Sequence, residues 1–321
     1  MRDKRTQIIK GAVVLAVVWA IIAGGVFIFT KYDVTATETT NVDPDMQAAV
    51  TDLLDENLTV PYDFSDQAKE YWQLIQADYA DRGAQVVKEN QNRHEEFKEY
   101  IISELKAAGF ADEDIELDKH TETTVANDDL HAVNIIATLE GSDPSKEIVI
   151  VGGYDGMYDP TKVDYLDADD GSSAAIMLAE ATGIAKSGDK PKCTIKFVFG
   201  DGEANSFRGS EWYARTMTKK KVEKTLMTIR VLSSPDKIYG QKTGECVVTG
   251  GIMDGDDQVA TEALEYAKAS ASANGITVKE GKLDKKANNP FAYYGMEYVD
   301  VDTDMNGYAV NMIAAMLMCA K

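Results

Sequence analysis

The chain has 321 residues, enough for one large domain with extensions, and a net charge of −21 from 33 basic and 54 acidic groups. Five of the basic groups and one of the acidic ones fall in residues 1–31, so the remainder is strongly acidic and repels phosphate backbones, which excludes nucleic acid as a partner. Cys193, Cys246 and Cys319 form no C-x-x-C pair; they read as buried single thiols and exclude a disulfide framework or a thiolate zinc site, with one disulfide still open.

Residues 11–30 carry no charge and are rich in Val, Ile, Ala and Phe. At about 1.5 Å per residue this run reaches about 30 Å, enough to cross a bilayer core. Arg2, Lys4, Arg5 and Lys10 precede it, while Lys31 is soon followed by Asp33 and Glu38. The positive-inside rule then gives a single-pass protein of the cell membrane. Residues 1–10 form a cytoplasmic tail, residues 11–30 the transmembrane helix, and everything beyond is extracytoplasmic. A cleaved signal peptide competes, but its apolar region is usually about 7–15 residues and no small-x-small site follows directly.

Residues 31–65 read as a solvated stalk and linker, with a helical pattern at 46–56. From residue 66 to 321 the pattern is that of one domain. Residues 67–80 place Tyr71, Leu74, Ile75 and Tyr79 at helical spacing. Residues 89–108 do the same with Phe97, Ile101, Leu105 and Ala108, and Gly109 is a plausible C-cap. His94 is placed on the polar side of that helix. Strands are predicted over 115–123, 132–139, 147–153, 194–200, 226–232 and 276–280. The turn cluster at 141–145 suggests an antiparallel hairpin of the second and third strands. Helices are predicted over 172–186, with Gly188 as a stop, and over 211–217, 259–273 and 306–320. Apolar strands alternating with helices argue for an α/β sandwich around a mixed, buried sheet.

Three segments carry the chemistry: Gly152-Gly153-Tyr154-Asp155-Gly156, then Asp167-Ala168-Asp169-Asp170-Gly171-Ser172-Ser173, then Phe199-Gly200-Asp201-Gly202-Glu203-Ala204. Together they resemble the zinc aminopeptidases of peptidase family 28, which also has glutaminyl-cyclase-like and receptor branches. The resemblance implies a three-layer α/β sandwich of the zinc-aminopeptidase, phosphorylase/hydrolase-like type. It also implies two zinc ions bridged by a carboxylate, and a glutamate that takes the proton from a metal-held water. By resemblance Asp169 is the bridging metal ligand, Glu203 the general base, and Asp155 the acid that orients the first histidine ligand.

The remaining ligand positions depart from the family. The first histidine falls on Gly153, which has no side chain, and the second glutamate on Ala204. The acid at the end of the next strand corresponds to the neighbourhood of Arg230, with a slip of a residue or two left open. No histidine follows His131, so the family's last ligand has no counterpart, in the two-zinc or the single-zinc cyclase branch. His94, His120 and His131 read as solvated or structural. The Asp169-Asp170 bond is cis in the family, a strained arrangement that could serve the fold alone. The acids at 155, 159, 164, 167, 169, 170, 201 and 203 suit a hard cation, but Asp167-x-Asp169-Asp170-Gly171 has its glycine one place early for a calcium loop and Leu178 where a glutamate belongs.

The expected protein is therefore a membrane-anchored, zinc-independent pseudopeptidase that binds a peptide or envelope protein, or acts as a scaffold. It needs no cofactor beyond weak calcium or zinc binding. Asp170, Asp201 and Arg230 are candidates to line its groove. Two alternatives stand: an active metallopeptidase with an altered metal site, hydrolysing peptides near their N-terminus, and a structural ectodomain of a cell-envelope assembly.

Overall fold

The computed structural model describes residues 59–83, 91–123, 129–156, 171–203, 207–233, 246–250, 252–254, 257–259, 261–281, 290–303 and 308–320. The expected anchor at 11–30, the expected stalk and linker up to residue 58 with the helix expected at 46–56, and the acids from Asp159 to Asp170 lie outside these residues. Among the described residues no helix is long and apolar enough to cross a membrane.

The strands are β1 (Ile115–Thr123), β2 (Asp129–Leu139), β3 (Asp143–Gly153), β4 (Cys193–Gly200), β5 (Thr225–Ser233), β6 (Cys246–Gly250), β7 (Ile252–Asp254), β8 (Asp257–Val259), β9 (Val278–Glu280) and β10 (Tyr298–Thr303). Eight of them form one sheet in the order β1-β2-β4-β3-β5-β10-β6-β9; β7 and β8 pair separately. β4, β3, β5 and β10 are parallel to one another, while β1 with β2, β2 with β4 and β10 with β6 are antiparallel. The fold is thus mixed α/β, as expected.

The hairpin expected of β2 and β3 does not form, because β4 lies between them. The turn cluster instead bonds to the segment entering β4. Ser142 N–H donates to Pro191 O (2.9 Å) and Asp143 N–H to Lys192 O (2.8 Å). Gly141 makes the approach possible, since a Cβ there would stand 2.3 Å from the Cys193 carbonyl carbon. A turn that looks like a hairpin loop is here the seam along which a third strand is inserted.

The helices are α1 (Ser65–Asp78), α2 (Gln91–Ala108), α3 (Ser172–Ser187), α4 (Arg208–Thr216), α5 (Lys219–Lys224), α6 (Glu262–Ala273), α7 (Pro290–Tyr293) and α8 (Tyr308–Cys319). Successive strand residues face opposite ways, and the two faces are covered differently. Ile148, Ile150, Ile195, Phe197, Phe199, Ile229 and Val231 meet α1, α2, α3, α6 and α8 in the larger core. Val149, Val151, Val198 and Tyr298 meet Tyr213 and Ala214 of α4 and Phe291 of α7 on the thinner face. α3 is buried from Ser172 through Ile184, which explains why small and apolar residues occupy its whole circumference. α2 ends as its sequence suggests: Gly109 has φ +111°, and Phe110 N–H reaches back to Leu105 O. No disulfide joins Cys193, Cys246 and Cys319, and the first two are buried.

The candidate site at the strand ends

The candidate residues collect where the parallel strands end, Glu203 and Arg230 on the side of α4 and Asp201 on the side of α2. Gly153 of β3 lies beside Gly200 of β4, and Tyr154 N–H donates to Gly200 O at 3.1 Å. The chain leaving β4 then turns through Asp201, Gly202 and Glu203. The side chain of Glu203 lies across both glycines. A Cβ at Gly153 would come within 2.8 Å of Glu203 Cβ, and one at Gly200 within 2.6 Å of Glu203 Oε1. Glycine at 153 therefore does more than omit a ligand, because Glu203 fills the space a side chain would need.

Glu203 is held at both ends. Its backbone N–H donates to Asp155 Oδ1 (2.9 Å), and the Ser210 N–H at the start of α4 donates to Glu203 Oε1. The residue as a whole is half-buried, yet its carboxyl group is turned inward. Burial pushes its pKa above the usual carboxylate range, against the pull of the Ser210 hydrogen bond and the nearby Arg230 charge. Asp155 is fully buried beneath the turn.

Asp201 is an internal anchor here, at 1% exposure. Its Oδ2 accepts from Val133 N–H (2.8 Å) and lies 3.2 Å from both Tyr154 Oη and His94 Nε2. Its own N–H donates to Asn134 Oδ1 at 3.0 Å, and Asn134 Nδ2 donates to Gly209 O at 3.1 Å. His94 is not on a polar helix face. It stands one turn before Phe97 on the apolar stripe of α2, 1% exposed, and stacks on Tyr154 with ring centroids 5.1 Å apart. His120 is also buried, stacked on Trp212, whereas His131 is exposed beside Thr121.

Arg230 is not at a strand tip. It pairs in register with Val151 on one side and Asp300 on the other, one pleat below the level of Gly153. Its length carries the guanidinium upward, 4.4 Å from the centre of the Phe207 ring. Nε donates to Asp300 Oδ1 (2.8 Å) and Nη2 to Asp300 Oδ2 (2.6 Å), a fork geometry typical of a strong pair. Burial disfavours the charge, but Asp300 and Glu203 outweigh that and hold the guanidinium protonated. Phe207 has φ +60°, left-handed and strained for a bulky residue. Sequence reasoning found Arg230 and missed Asp300 and Phe207. The alternation of Tyr298-Val299-Asp300-Val301-Asp302 is a strand signal that would have located β10.

Asp169 and Asp170, with the bond between them, lie outside the described residues, as does Ala204. Among the described residues no group of three or more His, Cys, Asp or Glu side chains is arranged to hold a metal ion. Gly153 brings no ligand, Glu203 blocks the space for one, and Arg230 adds a fixed positive charge nearby. These residues do not fit a zinc pair.

An eight-stranded mixed sheet with a carboxylate-bearing turn at the ends of its parallel strands is the architecture of zinc-exopeptidase-like proteins. A Zn-dependent exopeptidase from Parabacteroides distasonis superposes with a TM-score of 0.57 at 16% identity, over 81% of this chain and 99% of the other. A glutaminyl cyclase from an Acidobacteriales bacterium does so with a TM-score of 0.60 at 18% identity, over 81% and 95%. The glutaminyl cyclase of Bacteroides thetaiotaomicron bound to N-acetylhistamine gives 0.58 at 16%, over 82% and 100%. At these identities the likeness is one of fold. No protein of curated function matches the chain in sequence. The model of peptidase family M28 matches residues 134–310, more than half of the chain. The chain belongs to peptidase family M28.

Proposed function

We propose that this is a membrane-anchored, extracytoplasmic member of the family whose domain binds or scaffolds rather than hydrolyses. One observation carries the reading. Where the family resemblance calls for a histidine ligand and a free general base, Glu203 is packed over Gly153 and bonded to the Ser210 N–H. A base in that position has no open path to a metal-held water. The buried Arg230–Asp300 pair supports the same reading, since it supplies the positive charge that a metal gives an active member. The sequence of residues 11–30 supports the anchor.

The test is elemental analysis of the purified chain at neutral pH, run beside assays with N-terminally unblocked peptides and with N-terminal glutaminyl peptides. The second substrate is included because several proteins of similar fold are glutaminyl cyclases. The expected result is no stoichiometric zinc and no turnover of either substrate. One or two zinc ions per chain, removed by chelator together with activity, would overturn the proposal in favour of an enzyme with an altered site.

A further inference from the structure

The fork between Arg230 and Asp300 uses only one edge of the guanidinium. Nε and Nη2 donate to the two oxygens of Asp300, while Nη1 is buried and has no hydrogen-bond partner among the described residues. Arg230 as a whole is 5% exposed, so bulk water does not reach that nitrogen. Arginine carries five N–H donors and no acceptor, and a charged donor stranded in the interior costs more than a neutral one. Native structures leave few such groups unpaired, and each calls for an explanation. The pairing with Asp300 does not supply one, because it needs the Nε–Nη2 edge alone.

The direction of the spare donor follows from the sheet. Arg230 lies in register between Asp300 of β10 and Val151 of β3. A guanidinium is planar, so an edge spent on β10 turns Nη1 away from β10 and toward β3. The next residue of β3 on the same face as Val151 is Gly153, which brings no side chain and has Glu203 lying across it. Phe207 covers the guanidinium from its flat side, at 4.4 Å, with a left-handed φ of +60°. The spare donor therefore stands near the C-terminal ends of the parallel strands, where open α/β sheets bind ligands.

The surrounding charges select the acceptor. Asp300 already balances the guanidinium, and Glu203 adds a carboxyl group within range of it. Burial pushes the Glu203 pKa up, so a second anion beside it would be costlier still. A neutral carbonyl oxygen accepts the bond without bringing charge. We infer that Arg230 Nη1 is the anchoring donor of a site for a neutral carboxamide group, whose carbonyl oxygen it binds without a metal. The inference deepens the non-hydrolytic role proposed for the strand-end site and rests on it, since a zinc ion there would compete with the guanidinium for the same oxygen.

The test titrates the zinc-free full chain, isotope-labelled in its arginine side chains, with acetamide, N-methylacetamide and acetate. Binding is read by nuclear magnetic resonance at the Arg230 side chain and at the ligand methyl protons. Ligands this small bind weakly, so saturation is expected at concentrations on the order of millimolar. The expected result is a saturable shift of the Arg230 signal with acetamide and none with acetate. Saturation by N-methylacetamide as well points to a peptide-bond amide as the natural ligand, and saturation by acetamide alone to an asparagine or glutamine side chain. R230K keeps the charge but not the second edge, and should bind acetamide about tenfold more weakly or worse. F207G uncovers the guanidinium and suits the left-handed backbone, so it should bind at least as tightly as wild type. Acetate binding as tightly as acetamide, a folded R230K that matches wild type, or no saturation by either amide in both wild type and F207G overturns the inference. The wild-type and F207G titrations decide it where R230K folds poorly. Zinc content and peptide turnover are measured apart from the titration and bear on the non-hydrolytic reading, so a failed titration in a zinc-free, inactive chain overturns this inference alone.

Discussion

Replacing Arg230 by Met tests whether the guanidinium organises the thinner face. Met matches the aliphatic stem in volume but takes the guanidinium away from Asp300, whose side chain is 11% exposed, against 6% for Arg230. Little solvent screening is available there, so the cost is that of stranding one half of a buried pair, about 3–5 kcal/mol. Loss of the guanidinium stacked 4.4 Å from Phe207 adds about 0.5–1 kcal/mol. For a domain of this size each kcal/mol lowers Tm by roughly 2–4 °C, which gives a drop on the order of 10 °C. R230M should also gain stability from added calcium, because Asp300 and Glu203 then lose the positive charge beside them.

The double variant R230M/D300L separates a pair from two independent residues. A buried ion pair exchanged for apolar groups is often close to neutral, so the double variant should be more stable than R230M alone. Urea denaturation of wild type, both single variants and the double variant gives the coupling, expected to exceed about 2 kcal/mol. The reasoning is refuted by R230M losing less than about 1 kcal/mol, or by a coupling within about 0.5 kcal/mol of zero.

Two further outcomes are expected. Glu180 on α3 is fully buried with neither carboxylate oxygen bonded, and burial pushes its pKa well above the carboxylate range. The folded chain therefore holds a proton that the unfolded chain releases, so stability falls as pH rises above the unfolded value of about 4.3. E180M should be more stable than wild type at pH 7 by about 1–3 kcal/mol, with the advantage shrinking toward pH 4; equal unfolding midpoints at pH 7 would count against it. For the anchor, protease added to intact cells should digest the domain and leave a short protected N-terminal fragment. Full protection of the domain would reverse the topology, and a mature chain beginning beyond residue 30 would show a cleaved leader.

The fold was legible where burial is continuous. β2 to β5 carry apolar runs with turn signals at their ends, and α1, α2, α3 and α8 show apolar residues at helical spacing, so their positions follow from solvent exclusion alone. β6 is five residues long, and β10 alternates apolar and acidic side chains, so neither presents an uninterrupted apolar run. His94 was misplaced for a related reason. Its ring falls on the stripe of Phe97 and Ile101, but a histidine carries no hydropathy signal, and what buries it is a carboxylate 107 residues away.

The site divides along the same line. Asp155 and Glu203 belong to local motifs next to glycines, and motifs of that kind survive in the sequence whatever the chemistry has become. That Glu203 folds back over Gly153 is not local, because it depends on the parallel register that sets Gly153 beside Gly200 and on α4 beginning close enough for the Ser210 N–H to reach the carboxyl group. Arg230 was visible as a basic residue where the resemblance called for an acid. Its partner was not, since Asp300 is 70 residues further on and is brought alongside only by the pairing of β5 with β10. A lone arginine near a metal-ligand position reads as a lost ligand. With Asp300 in register beside it, Phe207 against its guanidinium and Glu203 within range of its charge, the same residue reads as a replacement cation, built into the sheet and bound to its own carboxylate.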